Sequence, residues 1–575
     1  MIVPRAGRAL RGARGLRRAL RVLAAATAVG ALLAGCAGLP RSGPPRTGQA
    51  TIAPENISVI YSPSGPTKGD TAAQIVQGFL NASTSAQQNY AIAREFLSPD
   101  FEQKWDPSSQ VLIEAAAPLV PDGTSSIGVS LTTLGKVDAT GVYTATPSTA
   151  TTELTFEVAK TKGQWRITHA PDGVVIADLA TFEQVFSEAT LNFFDPTFTY
   201  LVPDTRWFAD NDALATRIAS ALLAGPSPWL AKGAVATAFP QGSALTADTV
   251  PVVDGTAQVD LNATAINAEP STQKLMRLQL ERSLESDPDV AGVSISVQHN
   301  ALNVAAGSAR SYPLVSAFPL VATSGAVGYL AGASVRRIEP LGVAIAKLTP
   351  TAFTISDGAT TAAVRNVHGV SVIRPGADAV LVDGRRDLIA PTIDPDGSVW
   401  TVSRSDPTRI RITAKDGTRT TITAPWKSAT SISALQISRD GTRVLALTSR
   451  GSESTLVVVG VLRGSQNEPV RLGVPLVLDR QSATPVDAAW LDADSVGEVT
   501  TVSASGDNRI TTVSIGGPDT VALGSTSKIV AIAGGNTTDQ VRLLTANGEL
   551  LQQSGSIWTS MSAATSKISA LGTIG

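Results

Sequence analysis

The chain has 575 residues, in which 46 Lys and Arg nearly balance 48 Asp and Glu, for a formal net charge of −2. Such a surface lacks the excess of Lys and Arg that nucleic-acid binding needs, so we expect no nucleic-acid partner. A single cysteine excludes an intrachain disulfide and a zinc site built on cysteines. The length corresponds to several domains of roughly 100–200 residues each.

The first 35 residues have the three parts of a secretory signal peptide. Seven arginines precede the apolar part: Arg5, Arg8, Arg11, Arg14, Arg17, Arg18 and Arg21. Val22–Leu33 is apolar over 12 residues, which is too short for a membrane-spanning helix of about 20 residues. Leu33, Ala34 and Gly35 stand directly before Cys36. This ending resembles a bacterial lipobox, and the resemblance implies that residues 1–35 are removed and that the Cys36 sulfur receives diacylglycerol.

Loss of residues 1–35 would remove the seven arginines and no acidic residue, so the formal charge would change from −2 to −9. An acidic surface argues against electrostatic attraction to a membrane and leaves the lipid as the membrane contact. Two acyl chains hold a protein stably where one does not. The next segment, 36–66, contains Pro40, Pro44, Pro45, Pro54, Pro63 and Pro66. Its composition predicts a semi-extended tether, and the lipobox resemblance implies that this tether is lipidated and lies on the extracellular face of the cell membrane.

Residues 67–190 are predicted to form the first folded domain. Apolar spacing predicts a helix over Thr71–Ala82 with Asp70 as its N-cap. A second helix is predicted over Gln87–Leu97, ending at Ser98–Pro99. Segments rich in β-forming residues predict strands at Ile127–Thr132, Val142–Thr146, Leu154–Val158 and Trp165–Thr168. Helices followed by a curved sheet resemble the cone-like α+β fold of the nuclear-transport-factor-like superfamily.

Residues 200–305 are predicted to form the second domain. Its predicted helix, hairpin, helix and final strand lie at Asp212–Ala224, Val250–Leu261, Thr272–Ser286 and Val290–Gln298. Gly225 and Pro226 are expected to end the first helix, because glycine takes a left-handed cap and proline cannot continue the helix.

Three motifs of this second domain resemble the GerMN domain of spore-germination and envelope proteins. They are Leu222–Pro226, Val259–Asn262 and the Leu280–Val297 unit, in which Asp289–Val293 enters the final strand. The glycine often found after the final strand is replaced here by His299 and Asn300, which leaves the type of the last turn open.

From residue 316 to residue 575 short apolar segments alternate with Asp-Gly and Asn-Gly turns. A loose repeat places an acidic residue at Asp357, Asp396, Asp440 and Asp494. Spacings of 39, 44 and 54 residues are typical of propeller blades. Ile529–Leu544 predicts a further blade, and Gly325–Arg337 predicts either another blade or a ring closure with strands near Ile557–Trp558. The predicted fold class is therefore multi-domain, α+β and all-β, with a C-terminal β-propeller.

The sequence offers no evident catalytic, cofactor or metal site. The three histidines, His169, His299 and His368, fall in three different predicted domains without the spacing of metal ligands. Asp394–Gly397 has the composition of a calcium loop, but position 12 counted from Asp394 is Ser405 rather than the glutamate of an EF-hand. A β-turn explains this segment better. We therefore expect a protein that is not an enzyme and needs no cofactor.

The complete order of segments resembles the lipoprotein LpqB family of actinobacteria: lipobox, tether, cone-like unit, GerMN-like domain and propeller. The resemblance implies a surface lipoprotein that binds the extracellular domain of the sensor histidine kinase in an MtrA/MtrB-type two-component system. It further implies modulation of that kinase, with effects on the cell envelope and division.

Two other functions stay open at this point. A surface glycan-acting enzyme would use paired propeller carboxylates within roughly 5–10 Å of each other in one pocket; the family resemblance instead expects the four repeat aspartates in separate peripheral turns. A solute-binding lipoprotein would need two α/β lobes, and the chain lacks the βαβ alternation of such lobes.

Overall fold

The computed structural model describes residues 63–575 except 116–119, 122–124, 147–150, 212, 503–505, 556 and 562–566. The described residues form one compact unit. In chain order this unit contains a six-stranded sheet with short helices, a long hairpin, a four-stranded sheet with two longer helices, and a ring of β-sheets. The predicted fold class is confirmed; the predicted domain boundaries stay predictions.

The N-terminal sheet has the strand order β5-β4-β2-β1-β6, with β3 paired to β2. Its strands are β1 Gln110–Glu114, β2 Ser126–Asp138, β3 Tyr143–Ala145, β4 Thr151–Thr161, β5 Gln164–His169 and β6 Val174–Ile176. Its helices are α1 Ala72–Ala82, α2 Ala91–Arg94, α3 Pro99–Glu102 and α4 Leu179–Val185. Buried and exposed residues alternate along β2 and β4, so one face of the sheet packs against α1 and the other meets solvent.

The predictions for the first two helices need correction. Thr71, not Asp70, caps α1, and it forms a capping box with Gln74; the Asp70 carboxylate instead accepts from the backbone N–H and the hydroxyl of Thr67. The predicted helix over Gln87–Leu97 is reduced to the four residues of α2. Three consecutive residues before it have positive φ, which interrupts a helix whatever its apolar spacing.

A hairpin links the N-terminal region to the rest of the unit. Strand β7, Phe186–Phe194, pairs with β8, Leu201–Ala209, along nine residue pairs. Phe186 and Trp207 belong to the core beneath the N-terminal sheet, whereas Phe193 and Val202 belong to the core of the following region. This hairpin therefore contributes to both cores.

The middle region contains a parallel strand pair joined by a helix. Its elements are α5 Leu214–Ala224, α6 Ala231–Ala234, β9 Val252–Val253, β10 Thr256–Leu261, a 3-10 helix Ala263–Asn267, α7 Pro270–Leu284, β11 Gly292–Val297 and β12 Asn300–Ala301. The sheet order is β12-β11-β10-β9, and β10 runs parallel to β11. Helices α5 and α7 pack against each other.

The turns of this region follow its residue types. Asp254 and Gly255 both have positive φ and join β9 to β10, as a type I′ hairpin requires. Gln298 and His299 take the same sign of φ between β11 and β12, so this last turn forms without glycine. Gly225 has φ 104° and ψ −177°. Its φ is positive as predicted, but its ψ lies outside the left-handed helical cap and in a region that is essentially restricted to glycine.

The C-terminal region is a propeller. Its elements are β13 Leu320–Thr323, β14 Val327–Ala331, β15 Ser334–Arg337, α8 Leu341–Lys347, β16 Ala352–Ile355, β17 Ala362–Asn366, β18 Gly369–Ile373, β19 Val380–Asp383, β20 Thr392–Ile393, β21 Val399–Ser403, β22 Asp406–Thr413, β23 Arg419–Thr423, β24 Ser431–Ile437, β25 Arg443–Arg450, β26 Glu453–Arg463, β27 Pro469–Leu472, β28 Leu476–Gln481, β29 Thr484–Trp490, β30 Ser495–Thr501, β31 Asn508–Ser514, β32 Thr520–Thr526, β33 Ile529–Ala533, β34 Arg542–Thr545, β35 Leu550–Ser554, β36 Ile557–Ser560 and β37 Ile568–Ile574.

Six blades can be traced through the part of the propeller that the structure describes. Five of them start at β16, β20, β24, β29 and β33, and the sixth combines β37 with β13, β14 and β15. The inner strands of successive blades contact one another around the ring. Strand β37 also pairs in parallel with β16, so the last strand of the chain joins the last blade to the first.

The ring closure corrects one prediction. Gly325–Arg337 does complete the ring, but its C-terminal partner is β37 rather than the strand near Ile557–Trp558. Ile557 and Trp558 lie in β36, at the outer edge of the preceding blade. The predicted blade at Ile529–Leu544 is present and extends to Ser560.

Candidate functional site

The lipobox residues Leu33, Ala34 and Gly35 and the predicted lipidation site Cys36 lie outside the described residues. The same holds for most of the predicted tether, residues 36–66. Within the described part of the chain, none of the helices is both long and apolar enough to cross a membrane.

A groove forms where the three regions of the compact unit meet. Its walls are the turn and edge strand from Asp138 to Thr146, the Pro228–Trp229 segment between α5 and α6, and residues 474–480 of the propeller. It encloses about 470 Å³, which falls within the roughly 300–1,000 Å³ typical of ligand sites. Two other cavities, between the propeller and the turn of the β7–β8 hairpin, enclose about 210 and 190 Å³. We call the larger space the three-region groove.

Hydrogen bonds fix parts of these walls. The carbonyl of Trp229 accepts a hydrogen bond from the N–H of Gly460 on β26. A Cβ on Gly460 would lie 2.8 Å from the Cβ of Ala234 and 2.9 Å from the Trp229 oxygen. This close approach of the middle region to the propeller therefore needs a glycine. On the opposite wall, Asp138 accepts from the N–H groups of Thr140 and Val142 and fixes the turn before β3.

Asp479, on the propeller wall of the groove, shares the Gln481 side chain with the buried Glu498. One Gln481 amide nitrogen donates to Asp479 Oδ2 at 3.2 Å and to Glu498 Oε2 at 2.9 Å. The second Glu498 oxygen is buried without a hydrogen-bond partner. Burial, followed by the charge of Asp479, raises the pKa of Glu498 to about 8. Glu498 is therefore mostly protonated at neutral pH, and its proton is available to Asp479.

The repeat aspartates lie in separate turns of neighbouring blades, but not at the periphery. Asp357 and Asp396 line the cavity of about 210 Å³, and Asp396 and Asp440 line the cavity of about 190 Å³. Both cavities lie at the end of the inner strands, next to the turn of the β7–β8 hairpin. The predicted peripheral placement of these turns is therefore wrong for three of the four residues.

Two of these aspartates, Asp396 and Asp440, form ion pairs. Asp396 contacts Arg463 at 3.1 Å, and Asp440 contacts Arg443 at 2.5 Å with both side chains fully buried. The Arg443 charge and hydrogen bonds from Ser438 and Thr442 outweigh burial and lower the pKa of Asp440. A general acid in glycan hydrolysis needs a raised pKa instead.

A raised pKa occurs at the fourth repeat turn. Burial and the neighbouring Asp494 raise the pKa of Asp492 to about 6. Burial also raises the pKa of Asp487, on an inner strand, to about 7. Asp487 Oδ2 accepts from the Ile532 N–H at 3.0 Å and links two blades. The charges of Arg365 and Arg404 act in the opposite direction and lower its pKa.

The segment that leads into the propeller covers one end of its axis. The Arg439 guanidinium donates hydrogen bonds to the carbonyls of Pro313 and Gly535. The backbone N–H of Arg439 donates to the Tyr312 hydroxyl. Asn536 exchanges two hydrogen bonds with the backbone of Val315. The space left among residues 315–320 and the inner-strand ends is about 50 Å³. This is too small for the substrate of a glycan-acting enzyme.

The histidines occupy three unrelated places. The His169 ring packs against Phe101. His299 lies 3.1 Å from Asp260 at the surface, and His368 is exposed in the turn between β17 and β18. In the described ranges, His, Cys, Asp and Glu form no group of three that could hold a metal ion. The Asp394–Gly397 segment closes a β-turn through the Gly397 N–H and the Asp394 carbonyl.

Sequence analysis missed the three-region groove entirely. Its walls come from residues more than 300 positions apart in the chain, and none of them belongs to a motif. The sequence did contain one signal for the groove. The apolar pair Val474–Pro475 follows a glycine and lies in the longest of the intervals between blade repeats.

Comparison with known proteins gives a consistent set of relatives. A model of the "Lipoprotein LpqB, N-terminal domain" matches residues 65–182. A model described as "Sporulation and spore germination" matches residues 190–302. A model of the "Lipoprotein LpqB beta-propeller domain" matches residues 325–568. The three models follow one another along the chain and together cover the three regions of the structure.

Relatives of comparable length carry one name. The lipoprotein LpqB of Cutibacterium acnes is 27% identical over 505 residues, which cover 81% of this chain and 84% of that protein. The lipoprotein LpqB of Thermobifida fusca is 25% identical over 538 residues, with coverage of 81% and 85%. Among solved structures, a chain of a nidogen/laminin complex aligns with a TM-score of 0.33 and 10% identity over 44% of this chain and 97% of that one.

Proposed function

Because the chain belongs to the lipoprotein LpqB family, we propose that it is a lipid-anchored binding protein of the extracellular membrane face. Its partner in this proposal is the extracellular domain of an MtrB-type sensor histidine kinase. Binding would modulate the kinase and, through it, the cell envelope and division. The observation that carries the binding function is the three-region groove, which is large enough for a ligand and is built jointly by all three regions.

The proposed anchor is diacylglycerol on Cys36. The lipobox at Leu33–Gly35 and the absence of any other cysteine support it, as does the lipoprotein name of the relatives. An anchored protein reaches a membrane-bound partner by diffusion in two dimensions. A partner with an extracellular domain close to the same membrane suits that geometry.

Binding suits the chemistry of the described residues better than catalysis. Asp396 and Asp440 are held in ion pairs, and the axial space near the inner-strand ends is small. Two relatives that span most of the chain are named as lipoproteins rather than as enzymes. Turnover of a glycan substrate by this protein would therefore count against the proposal.

A direct binding experiment tests the proposal. The full lipidated protein is placed in lipid nanodiscs and titrated with the purified extracellular domain of the neighbouring kinase, at two salt concentrations. We expect saturable binding with a modest salt dependence, because charges at the rim of an interface affect the association rate more than affinity. The extracellular domain of an unrelated sensor kinase is the matched control. Absence of binding, together with turnover of a glycan substrate, would replace the proposal by the enzymatic alternative.

A further inference from the structure

Two adjoining cavities lie between the propeller and the turn of the β7–β8 hairpin. They enclose about 210 and 190 Å³, and together they reach the lower end of the roughly 300–1,000 Å³ typical of ligand sites. Tyr200, Pro395 and Asp396 line both of them. Because these three residues are shared, we treat the two cavities as one site and call it the hairpin–propeller cleft.

Tyr200 offers an aromatic surface to the cleft. The Arg310 guanidinium lies over one face of the Tyr200 ring, 6.0 Å from the ring centre, and Arg310 lines neither cavity. The edge and the opposite face of the ring therefore remain for the cleft. The backbone N–H of Tyr200 donates to Asp195 Oδ1, which also accepts from the N–H of Thr199. The hairpin turn thus fixes the backbone of Tyr200 before a ligand binds, which lowers the entropic cost of binding.

Asp396 offers a carboxylate that is held through one of its two oxygens. Its Oδ2 accepts from Arg463 at 3.1 Å and from the Asn467 amide at 2.9 Å. The Arg463 side chain is only 4% exposed, whereas that of Asp396 is 50% exposed. Among the residues that the structure describes, no hydrogen bond is donated to Asp396 Oδ1. One oxygen therefore orients the carboxylate, and the other can accept from a hydroxyl group of a ligand.

The charged side chains of the cleft are close to balance. The acidic and basic residues that line it are Asp195, Asp357, Asp396, Asp440, Lys415, Arg439 and Arg463. Asp440 is neutralised by its ion pair with the buried Arg443. Serine and threonine hydroxyls complete the polar lining. Donors and acceptors without an excess of either charge favour an uncharged ligand that carries several hydroxyl groups.

We propose that the hairpin–propeller cleft binds a neutral saccharide. The C–H groups on one face of the sugar ring pack against Tyr200, and a sugar hydroxyl donates to Asp396 Oδ1. Lys415, on the wall of the larger cavity, donates to an oxygen of the sugar. The sugar is bound and not cleaved, because Asp396 and Asp440 lie in ion pairs and glycan hydrolysis needs a carboxylic acid that gives up its proton. This site goes beyond the proposed function and does not depend on kinase binding.

Titration of the full chain with defined sugars tests the proposal. The neutral probes are the methyl glycosides of glucose, galactose, mannose and arabinose, and saturation-transfer NMR detects their binding. Glucuronate and glucosamine are the anionic and cationic probes of similar size. We expect saturable binding of at least one neutral glycoside and at least threefold weaker binding of both charged probes. Binding of none of the neutral glycosides, or tighter binding of a charged probe, would overturn the proposal.

Matched variants of the full chain locate the bound sugar. Tyr200→Leu removes the aromatic surface, and Asp396→Asn removes the charge with little change of shape. Trp165→Leu is the control for the first variant, because Trp165 is also a half-buried aromatic residue beneath a cation, Lys160 at 5.2 Å, and lies outside the cleft. Asp254→Asn, in the exposed β9–β10 turn, is the control for the second. Thermal unfolding of each variant verifies that it is folded.

The two cleft variants should bind the sugar more weakly than their controls. We expect a loss of at least tenfold for Tyr200→Leu and of several-fold for Asp396→Asn, while both controls bind within twofold of the unchanged protein. Sugar binding that neither cleft variant weakens would place the sugar elsewhere and overturn the assignment to this cleft. Binding of the kinase extracellular domain is measured separately, so either result leaves the proposed function to its own test.

Discussion

Replacing Asp440 by alanine should destabilise the propeller strongly, because it leaves a buried guanidinium without its anion. Arg443 Nη2 lies 2.5 Å from Asp440 Oδ2, and neither side chain is exposed. The same guanidinium donates to the Ala493 carbonyl at 2.7 Å and lies 5.0 Å from the centre of the Trp490 ring. These contacts hold Arg443 in place, so it has no short path to water after the substitution.

The magnitude follows from the burial of both partners. Removal of one member of a buried ion pair costs about 3–5 kcal/mol, since the remaining charge stays desolvated. Asp440 also accepts from the Ser438 hydroxyl and the Thr442 N–H, so these donors lose an acceptor as well. At about 2–4 °C per kcal/mol for a domain of this size, the propeller transition should fall by roughly 6–20 °C.

Scanning calorimetry of the purified protein measures this shift. The control, Asp416→Ala, changes an exposed turn residue and should melt like the unchanged protein. The double variant Asp440→Ala/Arg443→Met should be less destabilised than Asp440→Ala, because it removes the buried charge as well. Since the pKa of Asp440 is lowered in the fold, the stability due to the pair is present above the ordinary aspartate pKa of about 3.9. It is lost as the pH falls through the lower, folded value. Equal melting of Asp440→Ala and Asp416→Ala at neutral pH would refute the reasoning.

Three further predictions concern the cap, the carboxyl pair and the anchor. Gly225→Val should cost about 1–3 kcal/mol in thermal unfolding, because φ 104° with ψ −177° is strained for a side chain; Gly128→Val, at an ordinary strand position with free space, should cost nothing comparable. The melting temperature should fall as pH rises from about 4.5 towards 8, because folded Glu498 keeps a proton that the unfolded chain has lost. Glu498→Gln should flatten this dependence, and an unchanged slope would contradict the assignment. Cys36→Ala should abolish lipid attachment and normal processing, as measured by metabolic labelling with a fatty acid; retained labelling would exclude Cys36 as the site.

Local patterns in the sequence were sufficient for elements whose structure depends on near neighbours. The helix up to Ala224 and the Asp254–Gly255 turn follow from spacing and turn chemistry, and the structure has both. The blade repeat also follows from the sequence, because each blade is a run of hairpins with its own turn residues. The family resemblance, which is confirmed by the family models and the relatives, rested on such motifs and on their order.

Tertiary structure decided the features that depend on distant parts of the chain. The positive φ values at residues 88–90 prevent the helix from starting at Gln87, where apolar spacing alone would have begun it. Strand β37 closes the ring because its edge meets both β13 and β16, a pairing across more than 200 residues that no local pattern records. The three-region groove depends on how the Trp229 segment packs against the propeller, and Gly460 permits that close approach. A short-range pattern specifies which face a residue takes within its own element, whereas a surface shared by three regions depends on how those regions pack.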